Sequence, residues 1–304
     1  MATPVLVNTR NPITIQAERM DRLQRQLVKI DEQIATDKRI IEASDDPSGT
    51  NRLAALSRMK DQMTAQKRSI DVAVGRLGLV ESAMDSAHLT LLRVHDLALA
   101  AANDPLNKEG RQIIAHEITI LKEQLLDATN SRDQDGRYLF GGAMNGSPPY
   151  IMDADGVVSW NGFASAPGNS GLTTASGAAP RGPEVFGDGE HGAFAAIDSL
   201  LAALEEPDPA LRAEAMAESI EGVRSGIQKL SGAQAVLGAN MVRLDAELDR
   251  ISDALLQADE SMKAIDGFDM TAAITRMQTL QLTLSAAQAS FANIYRNSLF
   301  DRLA

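Results

Sequence analysis

Apolar residues recur at alternating steps of three and four along most of this chain, and the pattern predicts long helices. From Ile220 the series continues through Val223, Ile227, Leu230, Gln234, Leu237, Met241, Leu244, Leu248, Ile251, Leu255, Ala258, Met262 and Ile265, with Gln234 the one polar member. A seven-residue repeat held this long gives a helix a narrow seam that faces a partner helix. Asp208 is placed to cap this helix, Pro209 fits its first turn because it has no amide hydrogen to leave unpaired, and Gly267 marks its end. A helix over 209–265 is roughly 85 Å long at about 1.5 Å per residue, so an elongated molecule is expected.

The N-terminal half carries a matching seam. Leu56, Met63, Ile70, Leu77, Met84, Leu91 and Ala98 fall seven apart, and three residues after each come Met59, Gln66, Ala73, Val80, Ala87, Val94 and Ala101. Asp46-Pro47 is the expected start and Asn103-Asp104-Pro105 the expected break. A third helix follows, with Ile114, Ile118, Leu121, Leu125 and Ala128 on one face. Packed antiparallel, these segments bury their seams against the 209–265 helix.

The two ends repeat the pattern. Met20, Leu23, Leu27, Ile30, Ile34 and Ile41 step at heptad spacing with Asp37 as the interruption, and Ala273, Met277, Leu280, Leu284, Ala287, Phe291 and Ile294 do the same. If the long helices are antiparallel, the two ends meet. A coil of two such helices has little core, so the ends are expected to be poorly ordered in a free subunit and to gain order when subunits pack.

Between the helices the composition changes. Residues 136–192 hold thirteen of the 22 glycines and six of the eleven Phe, Tyr and Trp residues, whereas residues 1–135 hold none of these three. Tyr150-Ile151-Met152, Val157-Val158-Ser159-Trp160 and Pro183-Glu184-Val185-Phe186 read as short strands, with Asp155-Gly156 as a hairpin turn and 168–182 as loop. The expected fold is therefore mainly α, an elongated antiparallel helical coiled-coil bundle with a small β-rich inserted domain. Its expected parts are a terminal coiled coil (1–44 with 267–304), a core of helices (45–137 with 193–266) and the insert (138–192). Gly222, Gly226, Gly232 and Gly238 lie inside the long helix but off its seam. They are either tolerated drift or small residues that let neighbouring subunits approach.

Composition narrows the chemistry. A net charge of −12 argues against a nucleic-acid or anionic-membrane surface, and the absence of cysteine removes disulfides, thiolate metal sites and thiol catalysis. There is no signal peptide at Met1 to Gln16, and no run of eighteen apolar residues. His88 and His95 flank a seam and His116 and His191 stand apart, so no metal box is formed. Asp45-Asp46 reads as a helix cap rather than a divalent-ion site, Glu205-Glu206 as a solvated corner, and Asp188, Glu190 and His191 as a turn. No nucleophile elbow or phosphate-binding glycine loop is present. Nothing here predicts an enzyme, a metal or a cofactor.

Several short stretches then carry a resemblance. They are Asn8-Thr9, Ile40 with Ser44-Asp45-Asp46-Pro47, Ala100-Ala101-Asn103 with Gly110-Arg111, and Gly136-Arg137-Tyr138-Leu139-Phe140-Gly141-Gly142. At the other end are Ala287-Gln288-Ala289-Ser290-Phe291 and Ser298-Leu299-Phe300-Asp301, within Leu280 to Leu303. Over residues 1–142 and 190–304 the chain resembles the flagellin superfamily. Tyr138-Leu139-Phe140-Gly141 and the C-terminal stretch are more similar to subunits of the hook–filament junction than to filament subunits.

The resemblance implies a structural subunit of the bacterial flagellum that joins hook to filament through its terminal coiled coils. It implies self-association in an axial ring, a neighbouring hook-associated protein and flagellin as partners, and an export chaperone at the C-terminal region. It also implies unfolded passage through the type III export channel to an extracellular location, without a cleaved signal peptide. A filament flagellin is the alternative, and a soluble helical binding module is a third reading that the seams alone would allow.

Overall fold

The computed structural model describes residues 12–103, 107–142, 146–161, 180–189 and 191–300, with side chains described from Thr14 to Asn293. They form two compact units, one of residues 1–63 with 253–304 and the other of residues 64–252. Two long helices, α2 (Pro47–Asn103) and α6 (Pro209–Asp266), contribute to both. The bounds of α6 agree with the Asp208-Pro209 and Gly267 signals, and those of α2 with Asp46-Pro47 and Asn103; Asp104 and Pro105 lie outside the described residues.

In the first unit, α1 (Pro12–Thr36) packs along α7 (Met270–Phe300). The heptad count through Asp37 to Ile41 overran the helix. Asp37 takes a left-handed φ of 52°, which a short polar side chain tolerates, and α1 stops at Thr36. Ile41 therefore stands in the linker and not on the seam. The linker closes on Asp46, whose carboxylate accepts from the Ser48 hydroxyl (2.9 Å) and the Gly49 amide (2.8 Å) as the N-cap of α2. A Cβ on Gly49 would lie 2.9 Å from Ile40 Cδ1 and 2.4 Å from the Asp46 carboxylate, so only glycine lets Ile40 close over the cap. Lys60 of α2 pairs with Asp259 of α6 at 2.6 Å.

The second unit is a four-helix arrangement, one helix more than the seams alone predicted. It holds the rest of α2 and α6, α3 (Lys108–Thr129), and α5 (Ala193–Glu205), which packs against α3. Asp85–Gln234 (2.8 Å) and Lys67–Ser252 (3.4 Å) fix α2 and α6 as antiparallel, and Arg93–Glu117 (2.6 Å) joins α2 to α3. Ile70, Leu77, Met84, Leu91 and Ala98 are buried, and so are Met216, Val223, Leu230, Leu237, Leu244 and Ile251. Both rows keep a strict spacing of seven.

The second row of each heptad behaves differently. Val80, Ala87 and Val94 are buried in this unit, but Gln66 is exposed, and Met59 in the first unit is also exposed. A helix pair covers one row, and the flanking row is covered only where further helices close over it.

The glycines of α6 divide along the same lines. A Cβ on Gly222 would meet the Ala196 Cβ of α5 at 3.0 Å, and one on Gly226 would meet the Ala193 Cα and Cβ at 3.4 Å. These two glycines let α5 of the same chain approach α6, so the close approach belongs within the subunit. Gly232 and Gly238 face open space.

The insert holds an antiparallel hairpin of β1 (Tyr150–Met152) and β2 (Val158–Trp160), with Tyr150 opposite Trp160 and Met152 opposite Val158. Its turn contains Gly156 at φ 83°, as Asp155-Gly156 suggested. The segment read as a third strand is instead a single helical turn, α4 (Gly182–Val185). Pro183 needs no amide partner in a first turn, Glu184 accepts from the Arg181 amide at 3.1 Å, and Phe186 donates back to the Gly182 carbonyl at 2.8 Å. Four apolar residues carry too little period to distinguish the two conformations. The expected loop at 168–182 falls outside the described residues up to 179.

Candidate assembly site

The terminal helices show why a seam shared by only two helices is left incomplete. On α1, Ile30 is buried, while Met20, Leu23, Leu27 and Ile34 remain half-buried after α7 has packed against them. On α7, Ala273 is buried and Met277, Leu280, Leu284, Ala287 and Phe291 remain half-buried. Ile294 lies in α7 beyond the described side chains. Outside the seam, Val28 is 67% exposed and Leu282 is 73% exposed, each on a helix whose apolar partners are already used.

The polar faces of the two helices differ. From Pro12 to Thr36, α1 carries four acidic and four basic residues, including the i,i+4 pair Asp21–Arg25. From Met270 to Phe300, α7 carries no acidic residue, and Arg276 and Arg296 are its only charges. Threonine, serine, glutamine and alanine make up most of the rest. A solvated face normally carries both signs of charge.

The linker between α1 and α2 is held by groups that no sequence pattern connects. Arg39 reaches the Ile265 carbonyl at the end of α6 through both Nε (2.8 Å) and Nη2 (2.6 Å), and the Asp46 carboxylate through Nη2 (3.0 Å). The Ile40 amide donates to the Asp266 carboxylate at 2.8 Å. Asp46 is held at about 2, well below its ordinary value, first by the Gly49 amide and then by Arg39 and Ser48. Asp45 is lowered first by Lys29, which pairs with it, and then by backbone amides. Asp45, Asp46 and Pro47 thus act as cap and linker, as expected. Arg39 and Asp266 were not singled out, because the contacts join residues more than two hundred positions apart.

Tyr138, Leu139, Phe140 and Gly141 lie elsewhere, in the second unit, and all are buried. Arg132 stands 4.3 Å over the Tyr138 ring, and Arg76 donates to the Tyr138 carbonyl at 3.0 Å. Phe140 meets Phe186 edge to face at 5.2 Å, and Tyr150 contacts Trp160 (5.1 Å), Phe186 (6.3 Å) and Phe194 of α5 (5.4 Å). This aromatic cluster joins the insert to the helices. The Tyr150 hydroxyl donates to the Gly187 carbonyl at 2.6 Å, and burial pushes its pKa far above the usual phenol range, with Asp188 adding to the shift. Lys122 of α3, also buried, pairs with Asp198 of α5 and donates to the Gly156 carbonyl in the hairpin turn at 2.6 Å. Tyr138, Leu139, Phe140 and Gly141 are therefore packing residues.

Among the described residues, no group of three or more His, Asp or Glu side chains is placed to hold a metal ion, and no helix is long and apolar enough to cross a membrane. Asp188 and His191 form a turn, with the His191 amide on the Asp188 carboxylate at 2.9 Å. Glu190 lies outside the described residues. What the arrangement offers is contact area: two amphipathic helices with an apolar seam half covered.

Known proteins share both the sequence pattern and the fold. The bacterial flagellin N-terminal helical region matches residues 7–145, and the bacterial flagellin C-terminal helical region matches residues 220–300. Flagellar hook-associated protein 3 of Escherichia coli (strain K12) is 26% identical over 297 residues, covering 91% of this chain and 93% of that protein. A flagellar hook-associated protein from Vibrio parahaemolyticus superposes with a TM-score of 0.65 at 22% identity, over 73% of this chain and 100% of its own. Flagellar hook associated protein-3 from Legionella pneumophila superposes with a TM-score of 0.61 at 15% identity, over 70% of this chain and 98% of its own. These two likenesses establish a common fold. With both helical regions of the family matched, and the long helices and small β insert in place, this chain belongs to the bacterial flagellin family and is a structural subunit of the flagellum.

Proposed function

We propose that this chain is the junction subunit that joins the hook to the filament, and that copies meet through the seam of α1 and α7. The observation that carries the reading is the half-covered state of Met20, Leu23, Leu27, Ile34, Met277, Leu280, Leu284, Ala287 and Phe291 once the two helices have packed. Removing the remaining apolar surface from water returns about 25 cal/mol per Å², which offsets the entropy of ordering the terminal helices. The near-absence of charge on α7 supports the same reading, since covering a face of hydroxyls and amides costs less than covering charges.

Copies form an axial ring, with a hook-associated protein on one side and flagellin on the other. The subunit leaves the cell unfolded through the type III channel without a cleaved signal, and a chaperone holds its C-terminal region until then. In this division of labour, residues 1–44 with 267–304 make the assembly part. Residues 45–137 with 193–266 make the supporting helices, and residues 138–192 make an outward insert.

Labelled antibody on intact flagella tests the assignment. A single spot at the hook end of each filament is the expected result, together with loose flagellin secreted by a deletion strain. Label along the whole filament would make the chain a filament subunit instead. Its absence from sheared flagella would end the flagellar reading of this subunit.

A further inference from the structure

We infer that Arg39 is the positioning residue for assembly: it locks the α1–α7 pair onto the helix ends that carry it, so that every copy presents its seam in one direction. The inference rests on the reading of that seam as the surface where copies meet. Two connections lead into the pair, the linker 37–46 from α1 to α2 and the short link Gly267–Asp269 from α6 to α7. The short link alone is a pivot. A second fixed point turns the pivot into a defined direction, and the contacts of Arg39 supply one.

The last turn of α6 exposes carbonyls with no helical partner and a partial negative charge, and beside it stands the Asp46 carboxylate that caps α2. The guanidinium serves both at once. Nε and Nη2 converge on the Ile265 carbonyl, and Nη2 also meets Asp46. The backbone around it follows the same course. The Arg39 amide donates to the Asp266 carbonyl at 3.3 Å, the Ile40 amide to the Asp266 carboxylate at 2.8 Å, and the Arg39 carbonyl accepts from Gln33 in the last turn of α1 at 2.7 Å. The Arg39 side chain thus ties the start of α2 to the end of α6, and its backbone adds the end of α1, at the residues just before the short link.

Arginine suits this task better than lysine. Its planar fork presents several donors in fixed directions, whereas an ammonium group is a point charge on a flexible stem. The Arg39 side chain is 46% exposed, so its ion pair contributes little to global stability. Its loss therefore releases a direction without unfolding the chain.

The absence of cysteine makes the test direct, because two introduced thiols are the only ones present. Ser57 on α2 and Thr279 on α7 are exposed, and Ser57→Cys with Thr279→Cys in the full chain accepts a pair of spin labels. In that background a narrow distance distribution is expected. Arg39→Ala should broaden it about twofold or more, and Arg39→Lys should broaden it too despite keeping the charge, with melting unchanged in both. Amides of 39–40 and 267–273 should exchange about tenfold faster, while those of α3 and α5 should not change. Both variants should be depleted from sheared flagella.

An equally narrow distribution in Arg39→Ala overturns the lock. Full restoration by lysine overturns the role of the planar fork. A broadened distribution with normal incorporation overturns the role in assembly. A wild-type chain absent from flagella overturns the functional reading, and the distance measurement on the free subunit then judges the lock alone.

Discussion

The four glycines inside α6 give a prediction whose sign changes along a single helix. An interior helical glycine costs about 1 kcal/mol relative to alanine, because it loses more backbone freedom on folding. At Gly232 and Gly238 a Cβ would meet nothing within 4 Å, so alanine there recovers the full amount. The two sites are six residues apart, about 9 Å along the axis, and share no neighbour, so the double variant should gain about 2 kcal/mol. For a unit of this size that corresponds to a rise of roughly 4–8 °C in melting temperature.

At Gly222 the same substitution meets the Ala196 Cβ at 3.0 Å, tighter than ordinary packing. Helix α5 cannot recede freely, since Phe194, Ile197, Leu200 and Leu204 anchor it. Overpacking of about 1–3 kcal/mol then cancels or exceeds the propensity gain. Gly226, with its nearest contacts at 3.4 Å, should fall between the two cases. Thermal unfolding followed by far-ultraviolet circular dichroism checks all four positions. A gain at Gly222→Ala equal to that at Gly238→Ala would refute the claim that α5 requires the small residue.

Three further predictions concern the seam, a buried charge and the linker. Leu280→Asp or Leu284→Asp should leave the melting of the 64–252 unit unchanged while blocking incorporation into flagella, and normal recovery from sheared flagella would remove that seam from the assembly reading. Asp198→Ala should destabilise by about 3 kcal/mol because it strands the buried Lys122 ammonium, whereas Lys122→Met should stay within about 1 kcal/mol of wild type in denaturant titrations. The low end of the range applies because the Asp198 side chain is 29% exposed. Asp46 is at about 2 in the folded chain against an ordinary 3.8, so the unfolded chain takes up the proton first as pH falls. Its contribution is present above about pH 4 and is lost toward pH 2. The stability difference between wild type and Asp46→Asn, which keeps a capping oxygen, should therefore shrink across that window, and a constant difference would disprove it.

The helices were legible because their information is local and repeated. The buried row from Met216 to Ile251 continues the spacing of the seam series, and Asp46-Pro47, Asp208-Pro209 and Gly267 mark helix ends through backbone chemistry that any helix obeys. Ile41 fitted the same count but fell outside the helix, since arithmetic does not register a left-handed Asp37. Helix α5 does carry an apolar period, with Phe194, Ile197, Leu200 and Leu204 at steps of three and four, but its contact with Gly222 was not legible, because alanine against glycine leaves no mark in that period. The Arg39 contacts were hidden for a different reason. They depend on the antiparallel register of α2 and α6, which brings positions 39 and 265 together. The apolar seam of α1 and α7 could be read residue by residue, but its incomplete coverage required knowing that, among the described residues, each of the two helices packs along the other.

The rings of the second unit decide what optical probes of this protein measure. Its single tryptophan, Trp160, stands edge to face with Tyr150 in the hairpin, and residues 1–135 contribute no Phe, Tyr or Trp. Tryptophan emission therefore reports the seating of the insert on the helices beside it and not the helix content of the chain. A denaturation curve followed by fluorescence measures one event, and one followed by helical dichroism measures another. The gap between their midpoints is a direct reading of how tightly the insert is coupled to the bundle.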